Sequence, residues 1–182
     1  MKSHIAKYSV VIMLVVGILL LTVSKGLASS AANLFYPYVN FPVTHPNAVE
    51  IGDFNNDGKL DAAVTTDENE LKVFLQNQSG NLASAVTYAT GAGPNSLAVG
   101  DLNHDGWDDI VATNSTSNTI SVFIQQSDGT LASQVSYATG AGPDAVAVCD
   151  INGDGLDDVA VSNWYSYHIS VFIQNSSGTL NT

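Results

Sequence analysis

Asp53-Phe-Asn55-Asn-Asp57-Gly58-Lys59-Leu-Asp61 decides how this chain is read, because it comes back twice. The second copy is Asp101-Leu-Asn103-His-Asp105-Gly106-Trp107-Asp-Asp109, and the third is Asp150-Ile-Asn152-Gly-Asp154-Gly155-Leu156-Asp-Asp158. Oxygen-bearing side chains fall at positions 1, 3, 5 and 9 of each copy, and Gly falls at position 6. Side-chain oxygens on alternate residues, followed by a glycine that permits a sharp turn, form a loop that can wrap a hard cation. The backbone carbonyls of Lys59, Trp107 and Leu156 at position 7 complete one side of that loop. Asp61, Asp109 and Asp158 at position 9 complete the other.

Working outward, the repetition extends over the whole period. Asn81-Leu-Ala-Ser-Ala-Val-Thr-Tyr-Ala-Thr-Gly-Ala-Gly-Pro94 returns as Thr130-Leu-Ala-Ser-Gln-Val-Ser-Tyr-Ala-Thr-Gly-Ala-Gly-Pro143. Leu71-Lys-Val-Phe-Leu-Gln76 returns as Ile120-Ser-Val-Phe-Ile-Gln125 and Ile169-Ser-Val-Phe-Ile-Gln174. A period of 48 and then 49 residues is that of propeller blades and related arrays. Each period holds four short runs rich in Val, Ile, Ala, Thr, Tyr and Phe, bounded by Gly, Asp, Asn and Pro, which is the signature of strands. In the second copy these runs are 96–100, 109–113, 119–125 and 134–139. No helical period follows the N-terminal leader. The expected fold is therefore all-β: a partial β-propeller of about three four-stranded blades, with a cation loop between strands one and two of each. Strand alternation puts the acidic loops and the three–four turns on one face. The two–three loops and the links between blades fall on the other, roughly 17–20 Å away.

Charge and composition narrow the function. The chain has 182 residues, a formal net charge of −12, and 17 acidic residues against 5 lysines and no arginine. Nucleic-acid binding by phosphate neutralisation is excluded, since it needs basic residues. Nine of the 17 acids are loop positions 1, 5 and 9, so the carboxylates repel one another unless a positive charge sits among them. An all-oxygen donor set selects Ca²⁺, about three ions, with Mg²⁺ second and softer metals disfavoured. An EF-hand needs Glu at position 12 and flanking helices, whereas position 12 here is Val64, Ala112 or Val161 within a strand run.

Lys2 and Lys7 precede an uncharged run from Tyr8 to Val23, and small residues follow from Gly26 to Ala32. That order fits a signal peptide over 1–28, with an uncleaved anchor as the alternative. A short linker over 29–34 leads into repeats over 35–182. The remainder is expected to be exported, secreted or at the cell surface, with no membrane span once the signal is removed. Phe35–Phe41 aligns with a fourth strand, so the repeats read as the N-terminal part of a longer propeller with one face uncovered. Cys149 stands where Gly52 and Gly100 stand in the other copies and reads as a small buried strand residue, with intermolecular pairing as the alternative.

The Asp-x-Asn-x-Asp-Gly-x-x-Asp loop, the Tyr-x-x-Gly-x-Gly-Pro link before it and the Val-Phe-Ile-Gln strand after it resemble FG-GAP repeats, also described as VCBS repeats. Such repeats build the propellers of integrin alpha chains and of many secreted bacterial proteins. The resemblance covers roughly Phe35 to Thr182. It implies a calcium-bearing propeller, with Asp53, Asn55, Asp57, Asp61 and their counterparts as ligands. The first copy departs from the pattern with Thr44-His-Pro46 in place of Gly-x-Gly-Pro.

The two–three loops differ most between copies: Asp67-Glu-Asn-Glu70, Ser115-Thr-Ser-Asn-Thr119 and Trp164-Tyr-Ser-Tyr-His168. Variation on a repeated scaffold is where recognition usually sits. Trp164, Tyr165, Tyr167 and His168 could stack on a sugar or grip a peptide. Trp107 is expected to be partly exposed. Asp108 and Asp157, beside the ligands, are expected to be solvated or to support them. The histidines are scattered, and there is no nucleophile elbow or phosphate-cradling loop. The expected function is a non-enzymatic extracellular calcium-binding module for adhesion or for glycan or protein recognition. The alternatives are the accessory propeller of a larger secreted polysaccharide-degrading enzyme and a purely structural surface role.

Overall fold

β-branched and aromatic residues alternate with small ones in each period, and glycine or Asx turns separate the runs, so the chain pleats and reverses repeatedly. The computed structural model describes residues 39–181. The expected signal over 1–28, the linker over 29–34 and most of the expected entry strand Phe35–Phe41 lie outside the described residues. Residues 42–181 belong to one compact unit.

Among the described residues, twelve strands form three separate four-stranded sheets, every pair antiparallel. The first sheet holds β1 (Pro46–Gly52), β2 (Asp61–Thr66), β3 (Glu70–Phe74) and β4 (Val86–Ala89). The second holds β5 (Pro94–Gly100), β6 (Asp109–Asn114), β7 (Thr119–Phe123) and β8 (Val135–Ala138). The third holds β9 (Pro143–Cys149), β10 (Asp158–Asn163), β11 (His168–Gln174) and β12 (Leu180–Asn181). Strands follow one another in each sheet in sequence order, the up-and-down meander expected of the repeat. The expected runs of the second copy coincide with β5 to β8 to within two residues at every boundary.

Register explains the change of period. Thr66 pairs with Glu70, whereas Asn114 pairs with Thr119 and Asn163 with His168. The first two–three loop is thus one residue shorter. Asn69, Asn118 and Tyr167 close these loops at φ of 61°, 56° and 57°. Asn tolerates this left-handed conformation through its short polar side chain, but Tyr does so rarely.

The sheets stack face to face, with β1 beside β5 and β5 beside β9. Phe54, Ala63, Leu71 and Val73 of the first sheet pack with Leu97, Ile110, Ala112 and Phe123 of the second. Val111, Ile120 and Val122 of the second pack with Val159, Val161 and Phe172 of the third. Tyr88 lies edge-on to Phe123 and Tyr137 edge-on to Phe172, ring centroids 6.1 and 6.0 Å apart, so each outer strand pins an aromatic of the following sheet. Each fully buried Phe or Leu contributes about 1.5–3 kcal/mol. β6 is buried along its whole length because sheet faces cover it on both sides, and β2 is buried along its whole length as well.

Cys149 corrects the sequence reading: it is exposed. At the equivalent Gly100, the adjoining sheet's Val148 and Asp157 close over the backbone. No described element closes over Cys149 in that way.

Candidate functional site

Each acidic loop leaves the end of a first strand and returns as a second strand. The first residue of the loop anchors its fold. Asp53 accepts hydrogen bonds from the backbone N–H of Asp57 (3.0 Å) and of Gly58 (2.8 Å) through its two carboxylate oxygens. Asp101 holds Asp105 and Gly106 in the same way, at 2.9 and 2.8 Å, and Asp150 holds Asp154 and Gly155 at 3.1 and 2.9 Å. Asn55, Asn103 and Asn152 each accept from the N–H two residues on, at 3.1, 3.0 and 2.9 Å. Asp57, Asp105 and Asp154 do likewise, each at 3.0 Å. Such Asx turns wind the chain through three successive residues. Gly58, Gly106 and Gly155, at φ of 80°, 86° and 85°, then reverse it with nothing within 4 Å of where a Cβ would stand. The three loops share one conformation, and positions 1, 3, 5 and 7 belong to the same wound segment.

Position 9 is different in kind. Asp61, Asp109 and Asp158 are fully buried. One oxygen of each accepts from the N–H of loop position 2 (Phe54 at 3.0 Å, Leu102 at 2.9 Å, Ile151 at 3.1 Å). The other accepts from the N–H of Gln76 (2.7 Å), Gln125 (2.8 Å) or Gln174 (2.8 Å) at the end of the third strand. This aspartate therefore ties the loop's entrance to the neighbouring strand. Burial raises the Asp61 carboxyl above its ordinary range, against its two backbone hydrogen bonds, and the charges of Asp57 and Asp53 add to the rise. Burial pushes Asp109 up to about 7 in the same way, with Asp105 and Asp101 adding repulsion. The loops collect negative charge that burial makes costly, and a cation there would relieve it.

The donor chemistry fits a hard divalent cation: carboxylates at positions 1, 5 and 9, an amide oxygen at 3 and a carbonyl at 7. An oxygen that accepts one N–H keeps a second lone pair, so the turn-forming bonds leave acceptor capacity. Among the described residues, no group of three or more His, Cys, Asp or Glu side chains is gathered so as to hold a metal ion. The three loops are not electrostatically equal. Lys59 Nζ lies 2.7 Å from Asp57 Oδ2 and holds that carboxyl below its usual range. Positions 107 and 156 carry no charge. Hydrogen bonds from the loop's own backbone, Gly155 foremost, lower Asp150.

Two sets of residues make contacts between sheets that the sequence reading left out. Asp108 accepts from the N–H of Asp53 in the preceding loop at 2.9 Å, and Asp157 from the N–H of Asp101 at 3.0 Å. Gln125 and Gln174, nearly fully buried, donate to the carbonyls of Asp53 (3.4 Å) and Asp101 (3.1 Å). Each loop is thus clasped by the next sheet. The signal was present as position 8 (Leu60, Asp108, Asp157) and as the recurrent Gln76, Gln125 and Gln174. Nothing in a single period shows that these side chains reach into another.

These loops and sheets match the FG-GAP-like repeat over residues 53–112 and again over 101–161. The chain belongs to the FG-GAP-like repeat family. As an FG-GAP-like chain of three antiparallel sheets it forms a β-propeller-like module. Among solved structures, a functionally unknown protein from Desulfotomaculum acetoxidans DSM 771 is 17% identical at a TM-score of 0.58, covering 79% of this chain and 42% of that one. The likeness is one of fold, and this chain spans less than half the length of that relative. The Photorhabdus luminescens Tc holotoxin pore (14% identity, 73% of this chain and 7% of that one, TM-score 0.43) and the V. cholerae biofilm matrix protein Bap1 (16% identity, 75% and 27%, TM-score 0.34) are more distant. No curated protein matches the chain in sequence.

At the other end of the strands, Trp164, Tyr165 and Tyr167 are 70%, 72% and 93% exposed, and His168 is exposed as well. The Tyr165 ring lies over Gly142, and the Trp164 N–H donates to the Gly142 carbonyl at 2.8 Å. Trp164 stands between two open grooves. One is shared with Asn95, Ser115, Pro143 and Asp144, and the other with Asp144, Tyr167, His168 and Ile169. Trp107, in the second acidic loop, is half-buried as expected. Among the described residues, no helix is long and apolar enough to cross a membrane.

Proposed function

We propose that this chain is an extracellular, calcium-stabilised propeller module that recognises a glycan or protein partner and catalyses no reaction. The observation that carries this reading is the threefold recurrence of one wound acidic loop. Asp53, Asn55, Asp57 and Asp61, Asp101, Asn103, Asp105 and Asp109, and Asp150, Asn152, Asp154 and Asp158 would supply the side-chain oxygens. The carbonyls of Lys59, Trp107 and Leu156 would join them. Bound calcium would supply positive charge where carboxylates converge, and so hold the strand-one to strand-two hairpins. An affinity of about 10⁻⁴–10⁻³ M is enough in an extracellular setting. Export would follow from the basic and apolar segment over 1–28.

The recognition surface would be the aromatic rim of the third two–three loop. Trp164 and Tyr165 offer flat apolar faces, and Asp144 and Asn95 offer polar groups beside them, a combination suited to a sugar ring or a peptide. The cation loops lie at the opposite ends of the strands, so calcium would act on folding and not on the ligand itself.

Trp107 provides a direct test. Its carbonyl belongs to the second loop and its indole can sensitise a bound lanthanide. Terbium added to the purified chain should luminesce on excitation of tryptophan, calcium should compete the signal away, and Trp107→Phe should abolish it while leaving the carbonyl in place. No sensitised emission, or emission that calcium does not displace, would refute the assignment of the loops.

A further inference from the structure

In the first two loops, the aspartate at position 1 is held from two directions. Its side chain bonds inward, to the N–H groups at positions 5 and 6 of its own loop. Its backbone bonds outward, to the sheet that follows. The N–H of Asp101 donates to the Asp157 carboxylate at 3.0 Å, and the Asp101 carbonyl accepts from Gln174 Nε2 at 3.1 Å. Asp108 and Gln125 hold the N–H and carbonyl of Asp53 in the same way, at 2.9 and 3.4 Å. A hydrogen bond on each side of a Cα fixes the rotation of both adjoining peptide planes. That sets the direction of the Cα–Cβ bond, and with it where the carboxylate at position 1 can reach.

The surrounding chain is shaped to admit these contacts. Gly52 and Gly100 stand just before the held aspartates, and a Cβ on either would meet Asp108 Oδ2 at 3.0 Å or Asp157 Oδ2 at 2.8 Å. Glycine there gives each carboxylate its access. Gln125 and Gln174 are 2% and 1% exposed, and the Oε1 atom of each has no hydrogen-bond partner among the described residues. A buried acceptor left unpaired is unfavourable, so each amide is retained for what its Nε2 grips. The next sheet's three–four turn adds a further contact. A Cβ on Gly178 would fall 2.6 Å from the backbone oxygen of Asn103, and one on Gly129 would fall 3.4 Å from the Asn55 Cβ. Positions 1 and 3 of both loops are thus braced from outside their own sheet.

Resting on the reading of the acidic loops as calcium sites, we propose that Asp157 and Gln174 are positioning residues for the cation of the second loop, and Asp108 and Gln125 for that of the first. Each of these loops reaches full affinity only with the following sheet docked on it. Binding and docking form one linked equilibrium, so a cation in the second loop strengthens the hold of the third sheet by the factor with which that sheet strengthens the site. Removing a residue that orients a metal ligand from outside typically weakens binding about 10–100-fold.

The second loop can be read alone, because Trp107 belongs to it and can sensitise terbium there. Terbium titrated into the purified chain should half-saturate at a concentration about 10–100-fold higher in Asp157→Ala and in Gln174→Ala, with circular dichroism unchanged. The two variants remove separate grips, so either one tests the proposal. Asp157→Asn keeps an acceptor oxygen and should recover most of the affinity. Leu71→Val, in the core of the first sheet, should lower the melting temperature without moving the half-saturation point. Wild-type emission with the same half-saturation in Asp157→Ala and Gln174→Ala would overturn the positioning role and leave the cation site standing. A loss in Asp157→Asn as large as in Asp157→Ala would assign the effect to charge, and an equal loss in Leu71→Val would assign it to general loosening; either result would also overturn the proposal. No emission from the wild type would refute the cation reading itself.

Discussion

Replacing Gly178 by alanine tests the stacking of sheets with an internal control. Gly80, Gly129 and Gly178 occupy the same place in three turns, at φ of 77°, 79° and 73°. Alanine at any of them costs about 1–3 kcal/mol for the left-handed backbone. Only the surroundings differ. A Cβ at 80 meets nothing within 4 Å, one at 129 makes ordinary contact with Asn55 at 3.4 Å, and one at 178 lands 2.6 Å from the backbone carbonyl oxygen of Asn103. That oxygen cannot rotate away, so the turn or the preceding loop must shift, adding about 1–3 kcal/mol by analogy with overpacking. Gly80→Ala and Gly129→Ala should therefore destabilise alike, and Gly178→Ala should exceed both. Thermal unfolding at fixed calcium reads the difference as roughly 2–4 °C per kcal/mol for a domain near this size. Equal losses for Gly80→Ala and Gly178→Ala would show that the third-sheet turn does not press on the second loop, and the stacking account would fail.

Other perturbations address the loops and the rim. Asp105→Ala should leave two of three calcium sites, read as stoichiometry by equilibrium dialysis. Without calcium, Asp109 binds a proton more tightly folded than unfolded, because its folded pKa is about 7 and its ordinary value 3.8. Its contribution is present below that ordinary value and is lost as pH rises toward 7. Chelated protein should therefore melt lower at pH 7 than at pH 5, and saturating calcium should flatten or reverse the slope. Trp164→Ala with Tyr165→Ala should weaken glycan or peptide binding on an array run in calcium while lowering the melting temperature little. A large loss of stability would return these rings to a packing role.

The sequence displayed what repeats and concealed what spans repeats. Strand positions, the meander and the loop were legible because a period of 48 or 49 residues superposed three independent instances of each. The same superposition misled at Cys149, where likeness to Gly52 and Gly100 implied a buried strand residue. Burial at those glycines comes from the following sheet, which sequence periodicity cannot supply. Position 9 was read as a cation donor on spacing alone. Its burial, and the use of both its oxygens by backbone N–H groups 7 residues back and 15 or 16 residues ahead, emerged only with the sheet register. Asp108 and Gln125 were visible as repeated letters, but their partners lie 55 and 72 residues away, in another period. The aromatic loop was singled out by its difference from its counterparts, and the structure leaves its rings exposed.

Calorimetric titration of calcium into chelator-treated protein goes straight to the central claim that the three acidic loops are cation sites. Three ions per chain should bind, with a melting temperature that climbs as calcium rises past the dissociation constant. No heat of binding, together with melting curves that superpose with and without calcium, would contradict it.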